Sequence, residues 1–331
     1  MPGEFEIIDR CFRTGFPSRA DVVLGIGDDA ACLVPPAGRE LVAATDTLVA
    51  GIHFPPDLDP GDVGYRALAV NLSDLAAMGA EPAWMTLALT LPEADLGWLT
   101  GFAAGLRAAA RGAGVALVGG DTTRGPLTVT IQVLGTVPAG TVVRRAGARP
   151  GEGIYVSGTL GDAAMGLACL RHGLEAGPAG DFCRRRFARP EPRLALGQAL
   201  RGRASAMIDV SDGLLADLGH LLAASGVGAT LARERVPVSE AFRACLSRLP
   251  PQVQPEARTY PLSGGDDYEL CFTLPPGADD QVRALGERCG VRLTHIGVVE
   301  SHPGLRVVDR EGRPVEVQKP GYEHFGATDE A

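Results

Sequence analysis

The stretch Gly25-Ile26-Gly27-Asp28-Asp29-Ala30-Ala31 follows the apolar run Val22-Val23-Leu24, and its reading decides the fold. Its Gly25-x-Gly27-x-x-Ala30 spacing matches a dinucleotide-binding turn, where a strand passes through glycines into a helix whose N-terminus holds a pyrophosphate. Two features oppose that reading. Pro35 and Pro36 follow too soon for a helix of ordinary length. Asp28 and Asp29 would also repel a diphosphate unless cations stood between them. The stretch therefore reads as a metal-holding turn, not a Rossmann finger.

A chain of 331 residues, 45% hydrophobic with 44 Gly and 25 Pro, has room for about two domains and fits a loop-rich α/β protein. No run approaches the roughly 20 apolar residues of a spanning helix, and "MPGEFEIIDR" lacks the basic-then-apolar order of a secretory signal. The expected location is the cytoplasm, away from membranes. Seven cysteines without a CxxC pair suggest neither a disulfide framework nor a zinc site, and read as reduced, mostly buried thiols.

The formal charge of -9 argues against nucleic acid as a partner, because that needs a basic face. Lys319 is the single lysine and lies in no GxxxxGK[ST] or VAIK context, which excludes a P-loop ATPase and a protein-kinase fold. Phosphate chemistry here must use arginine, backbone amides and metal ions.

Short strands near 22–24, 31–34 and 41–44 precede a helix predicted from about Asp62 to Gly79. The strand "PAWMTLALTLP", a helix over 95–113, and the strands "VALVGG" and "LTVTIQVLGTV" follow, giving an α/β unit of mixed strand order. Residues 138–152 are rich in Gly, Pro and Arg without an apolar period, and mark a junction between domains at 1–140 and 150–331. Beyond it come the strand "GIYVSG", a helix near 161–172, the strand "AMIDV", a helix opened by Ser211-Asp212, then "YELCFTL", a helix over 278–289, "RLTHIGVV" and "GLRVVD". "LGIGDD" and "IDVSDG" resemble each other too briefly to establish a repeat.

Aspartates recur beside Gly, Ser or Thr: Thr45-Asp46, Asn71 with Asp74, Asp121, Asp209 with Asp212, and Asp266-Asp267. Short carboxylates on rigid elements suit magnesium, which is shared between a few carboxylates and substrate phosphates. Each alone is equally the signature of a turn or helix cap, and Asp212 could simply cap its helix. Asp74 resists that account. It lies three residues from Asn71 in an apolar helix, flanked by Ala67, Val70 and Met78, where a carboxylate is costly unless a positive partner meets it. Arg124, Arg144 and Arg145 are either solvated or phosphate clamps. His53 lacks a second histidine at ligand spacing, leaving a substrate contact or a satisfied loop histidine.

Aspartate-held magnesium with Gly-rich turns and arginines points to nucleoside-triphosphate chemistry. No nucleophile elbow or HExxH accompanies it. A phosphate monoester as acceptor removes that difficulty, since with a second pKa of about 6 it is already ionised and needs no protein base. What remains is bringing two polyanions into line and neutralising their charge.

The ordered set "GIGDDAA", "ATDTLVAGIHF", "ALAVNLSDLAAMGA", "GGDTTRGP", "DVSDGL", "SGGDDYELCF" and "GYEHF" resembles the thiamine-monophosphate kinase family from end to end. The wider aminoimidazole ribonucleotide synthetase-like superfamily shares the looser GxGDD pattern with an Asp-bearing helix. The resemblance implies direct transfer of the γ-phosphoryl group of ATP to thiamine monophosphate, giving thiamine diphosphate. It implies a two-domain α/β (α+β) fold in which an N-terminal mixed sheet pairs across a homodimer and a C-terminal α/β domain completes a cleft. Asp29, Thr45, Asp46, Asp74, Asp121, Asp209 and Asp212 would hold several Mg2+ ions. Asp46, Asp74 and Asp121 would carry the metal-assisted step without acid or base. Gly120, Asp121, Arg145 and Ser211 would contact ATP, and His53, Asp266 and Tyr322 the thiamine phosphate.

Two positions depart from the family pattern: Ala44 stands for a common Ser, and Asp266 for a usual Glu. Other readings are a selenide water dikinase, which Cys11 in "DRCFRTG" fits poorly, an aminoimidazole ribonucleotide synthetase-like ligase, or a nucleotide-binding regulator. A hydrogenase maturation factor would want a functional terminal cysteine, and the last cysteine here is Cys289.

Overall fold

The computed structural model describes residues 3–317 and 321–323, so Lys319 and the His324-Phe325 end of "GYEHF" lie outside the described residues. The chain forms two compact units that part between Val142 and Val143.

In the first unit, α1 (Glu4–Ile7) runs into a π-turn over Ile8–Phe12. β1 (Val22–Leu24) and β2 (Cys32–Leu33) then pair antiparallel. The stretch 25–31 is thus a hairpin loop with no helix after it, and no dinucleotide turn forms. β3 (Arg39–Val49), β4 (Glu81–Leu91), β5 (Ala116–Arg124) and β6 (Thr128–Pro138) make a sheet ordered β3-β6-β4-β5, in which β4 and β5 run parallel and the other pairs antiparallel.

Helix α2 (Pro60–Ala77) begins at Pro60 rather than Asp62, because the Asp59 carboxylate accepts the amides of Gly61 at 2.9 Å and Asp62 at 3.2 Å. Asp95 caps α3 (Leu96–Ala113) in the same way, at 2.7 Å from the Gly97 amide. The two helices press backbone to backbone at Gly105, where a Cβ would sit 1.7 Å from the Gly61 carbonyl oxygen. α2 packs on one sheet face, over Leu87, Ile131 and Val133, all buried. Strand alternation turns Ala43, Thr45, Thr47, Ala88 and Gln132 to the other face, where all five are exposed. The hairpin covers one end of that face through Val22, Ala31 and Leu33 against Trp84, Ala116 and Val118.

In the second unit β7 (Gly153–Ser157), β8 (Ala206–Val210), β9 (Gly228–Ala232), β10 (Glu269–Leu274), β11 (Leu293–Glu300) and β12 (Gly304–Val308) form a sheet ordered β12-β9-β11-β7-β10-β8. Its pairs are antiparallel except β12 with β9. Its helices are α4 (Asp162–Arg171), α5 (Gly177–Ala188), α6 (Leu194–Leu200), α7 (Leu214–Ser225), α8 (Glu240–Leu246), the single turns α9 (Gln254–Ala257) and α10 (Tyr260–Ser263), and α11 (Asp279–Cys289).

Leu214, Leu218, Leu221 and Leu222 of α7 join Ile154, Val156, Ile208 and Val210 in one core. Met165, Cys169, Cys183, Phe242 and Cys245 form a second. Five of the seven cysteines are buried free thiols, and burial pushes Cys169 up to about 12, which keeps it unreactive. "LGIGDD" leads into a hairpin and "IDVSDG" into a helix, so the two segments are not copies of one unit. Among the described residues no helix is long and apolar enough to cross a membrane.

Candidate active site

In the first unit Asp46 lies on edge strand β3. Its backbone amide donates to Asn71 Oδ1 at 2.9 Å, and Asn71 Nδ2 donates to the Ala67 carbonyl at 2.9 Å. Asn71 is only 1% exposed and both ends of its amide are satisfied, Nδ2 within α2 and Oδ1 tying that helix to β3. Asp74 follows one turn later on the same helix face, half-buried. Asp46 and Asp74 are thereby brought to the same edge of the sheet.

Asp121 does not join them. The register Asp46, Ile131, Leu87, Gly120 runs straight across the four strands. That sets β3 and β5 three strand spacings, about 14 Å, apart. Asp121, one residue on, shares the open face with Thr45, whereas Asp46 faces α2. Asp29 is exposed in the hairpin loop, its amide 2.9 Å from the Asp28 carboxylate. Within this unit the pleated sheet thus spreads Thr45, Asp46 and Asp121 over two faces and two edges.

Gly120 has a packing reason of its own, since at φ +154 its Cβ would lie 1.8 Å from the Leu87 carbonyl oxygen. His53 Nδ1 accepts the Val49 amide at 3.0 Å, which orients the ring and leaves Nε2 to carry the proton of the neutral imidazole.

In the second unit three distant stretches meet at the end of β8. The Ser211 carbonyl accepts the Asp266 amide at 2.7 Å, the Val210 carbonyl accepts the Tyr268 amide at 2.8 Å, and the Asp212 carbonyl accepts the Tyr322 amide at 2.9 Å. Asp209, Ser211, Asp212, Asp266 and Tyr322 are thus collected in one place. The Arg144 carbonyl accepts the Met207 amide at 2.9 Å, so the backbone leading into exposed Arg145 runs beside the same strand.

Asp212 does not cap α7, whose N-cap is Gly213, without a side-chain cap. Asp217, from inside the helix, instead holds the loop before it, its Oδ2 accepting the amides of Ser211 and Asp212 at 3.0 Å and Gly213 at 3.1 Å. Burial, then the charges of Asp209 and Asp212, push the Asp217 carboxyl up to about 7. Such crowding of acid groups is what a divalent cation relieves, and the donors are all hard oxygens, so these residues fit magnesium. Among the described residues no group of three His, Cys, Asp or Glu could hold a metal ion, whereas magnesium shared with substrate phosphates needs only one or two protein carboxylates.

Asp266 and Tyr268 stand at φ 62 and φ 51, left-handed values that Asp tolerates and Tyr rarely adopts. Each such residue costs about 1–3 kcal/mol and persists where its surroundings impose it. The Tyr268 hydroxyl donates to Asp266 Oδ1 at 3.2 Å. The alternate residues are anchored inward. Asp267 Oδ2 accepts the Gly161 amide at 2.7 Å, and burial holds its carboxyl well above the usual range. Glu269 accepts Arg186 at 2.7 Å, Arg193 at 2.6 and 2.7 Å, and the Ser157 hydroxyl at 2.5 Å.

Asp217, Glu269, Arg186 and Arg193 escaped the sequence reading, and Asp267 was read only as the neighbour of Asp266. The signal for Asp217 was present, being an aspartate in the apolar helix "LLADLGHLLAA", the same pattern that marked Asp74.

Residues 27–137 match the AIR synthase related protein N-terminal domain and residues 149–310 the corresponding C-terminal domain. Fold and site together define an AIR synthase related protein. The thiamine-monophosphate kinase of Salmonella typhimurium is 50% identical over 329 residues, 98% of each chain. The crystal structure of thiamine-monophosphate kinase from Stenotrophomonas maltophilia is 46% identical, with a TM-score of 0.82 over 90% of this chain and 93% of that one. AaThiL complexed with AMPPCP and TMP is 32% identical, with a TM-score of 0.77 over 91% of this chain and 92% of that one. The chain belongs to the thiamine-monophosphate kinase family.

Proposed function

We propose that the chain transfers the γ-phosphoryl group of ATP directly to the phosphate of thiamine monophosphate, giving thiamine diphosphate. The observation that carries this reading is the convergence of Asp209, Ser211, Asp212, Asp266 and Tyr322 at the end of β8. AaThiL binding AMPPCP and TMP supports it. Arg145, Ser211, Gly120 and Asp121 contact the nucleotide, the glycine through its backbone. His53 offers Nε2–H to the thiamine phosphate, and Asp266 and Tyr322 line its pocket. The αL backbone and the Tyr268 hydroxyl bond set the direction of the shorter Asp266 side chain.

Magnesium, when bound, supplies neutralisation between the two polyanions, and Asp29, Thr45, Asp46, Asp74, Asp121, Asp209 and Asp212 would hold it. No acid or base from the chain is required, because the acceptor oxygen is already ionised. The chain's own work is orientation and charge placement, which supply most of phosphoryl-transfer catalysis. The reaction belongs in the cytoplasm, where ATP is made available.

Coupled measurement of ATP consumption tests the acceptor. Turnover is expected with thiamine monophosphate and absent with thiamine; turnover only with the unphosphorylated vitamin would reject the reading.

The exposed face carrying Ala43, Thr45, Thr47, Ala88 and Gln132 is the one through which two copies pair as a homodimer. Its side chains are small enough for close sheet packing, and burying them removes an exposed apolar row that includes Leu41, 52% exposed. Thr45 and Asp121 then lie at the joint. Light scattering should give twice the chain mass for the unmodified protein and a single chain mass for Ala43→Arg. A monomeric unmodified protein would exclude the pairing.

A further inference from the structure

Asp217 is only 3% exposed within α7, and the phosphoryl transfer gives it no role. A single oxygen, Oδ2, receives three successive amides at 3.0, 3.0 and 3.1 Å. With those N–H groups turned inward, two carbonyls of the same loop carry other segments. Ser211 holds the Asp266 amide at 2.7 Å, and Asp212 holds the Tyr322 amide at 2.9 Å. Residues assigned to ATP and metal, Ser211 and Asp212, therefore hang from the same loop as residues assigned to the thiamine phosphate, Asp266 and Tyr322. One side chain fixes the shape of that loop.

We propose that Asp217 is a positioning residue, which through the 211–213 backbone sets the nucleotide side and the acceptor side of the site in register with each other. The proposal rests on the phosphoryl transfer described above. Asp217 reaches no substrate and acts only through the loop. In-line transfer between two bound molecules is sensitive to such register, and a 1 Å misplacement can lower the rate about a hundredfold. A cap that merely held α7 would alter stability and leave the kinetics of folded enzyme alone.

The test compares Asp217→Ala and Asp217→Asn, varying ATP and thiamine monophosphate in turn. For folded Asp217→Ala, kcat/KM is expected to fall about a hundredfold for both substrates. Asp217→Asn keeps a side-chain oxygen for the three amides and should recover to within about tenfold of the unmodified enzyme. A fall for one substrate only, or for neither, overturns the proposal.

Should Asp217→Ala fail to fold, amide hydrogen exchange of Asp217→Asn against the unmodified chain decides, because a neutral amide oxygen holds the three N–H groups in place less strongly than a carboxylate does. Faster exchange at 211–213 accompanied by faster exchange at Asp266 and Tyr322 supports the coupling, whereas acceleration confined to 211–213, or none, overturns it. The exchange readout does not depend on turnover. An unmodified protein inactive toward thiamine monophosphate would therefore defeat the assigned reaction while leaving the loop coupling separately measurable.

Discussion

Asp74→Asn lowers kcat/KM for magnesium-dependent turnover by about 10³-fold and leaves the protein folded, the scale on which one charge-stabilising group acts in a water-poor site. Asp74 is half-buried one turn beyond Asn71, in a helix whose neighbours at this face are Ala67, Val70 and Met78. Asparagine has nearly the same shape without the charge, so α2 keeps its packing and the Asn71 bridge to the Asp46 amide. The fold should therefore hold while turnover collapses. Steady-state kinetics across a magnesium titration, with far-UV circular dichroism as the control for folding, measures both sides. Activity within about tenfold of the unmodified protein would remove Asp74 from the site, since even one general acid–base group is worth more than that.

Asp74 was legible because its helix was. The apolar period over 62–79 fixed the face on which Asn71 and Asp74 sit, and the structure adds that the face is docked on β3. The strands "AMIDV" and "YELCFTL" were equally plain, each a short apolar run buried along its length as β8 and β10. The opening stretch 25–31 was read through its prolines and is a hairpin loop.

What the sequence withheld was distance across the sheet. Nothing local to "ATDT" or "GGDTT" says that Asp46 and Asp121 stand on opposite edges and faces, because strand order is set by long-range pairing. The helix start at "DVSDG" misled for a related reason. Ser and Asp before an apolar run are cap signals, yet here the amides are taken by a carboxylate four residues into the helix, at Asp217, which leaves the Asp212 side chain out of the cap. β9 was missed because "GATLA" is short and small-residued, and its partners β11 and β12 lie far along the chain.

Glu269→Ala should destabilise the second unit by about 3–5 kcal/mol, the range for breaking a buried ion pair by removing one partner. Glu269 is fully buried on β10 and takes bonds from Arg186, itself 7% exposed, and from both donor arms of Arg193. Alanine leaves the buried Arg186 facing a void without its carboxylate, leaves Arg193 with only the exposed Glu191 at 3.2 Å, and strips the Ser157 hydroxyl of its acceptor. Desolvation of unpaired charge, not the loss of attraction, is the larger part of the penalty.

Against a typical domain stability of about 5–15 kcal/mol, this is a large fraction of the whole. The effect reaches the site as well, because the inward anchors Asp267 and Glu269 alternate along the chain with Asp266 and Tyr268, the two residues at positive φ. Urea unfolding followed by far-UV circular dichroism, compared at equal slope, reads the shift. A loss under about 1 kcal/mol would mean that water or rearranged side chains satisfy both arginines, as they do for surface pairs, and that the strained turn is held by the Ser211 and Val210 carbonyls alone.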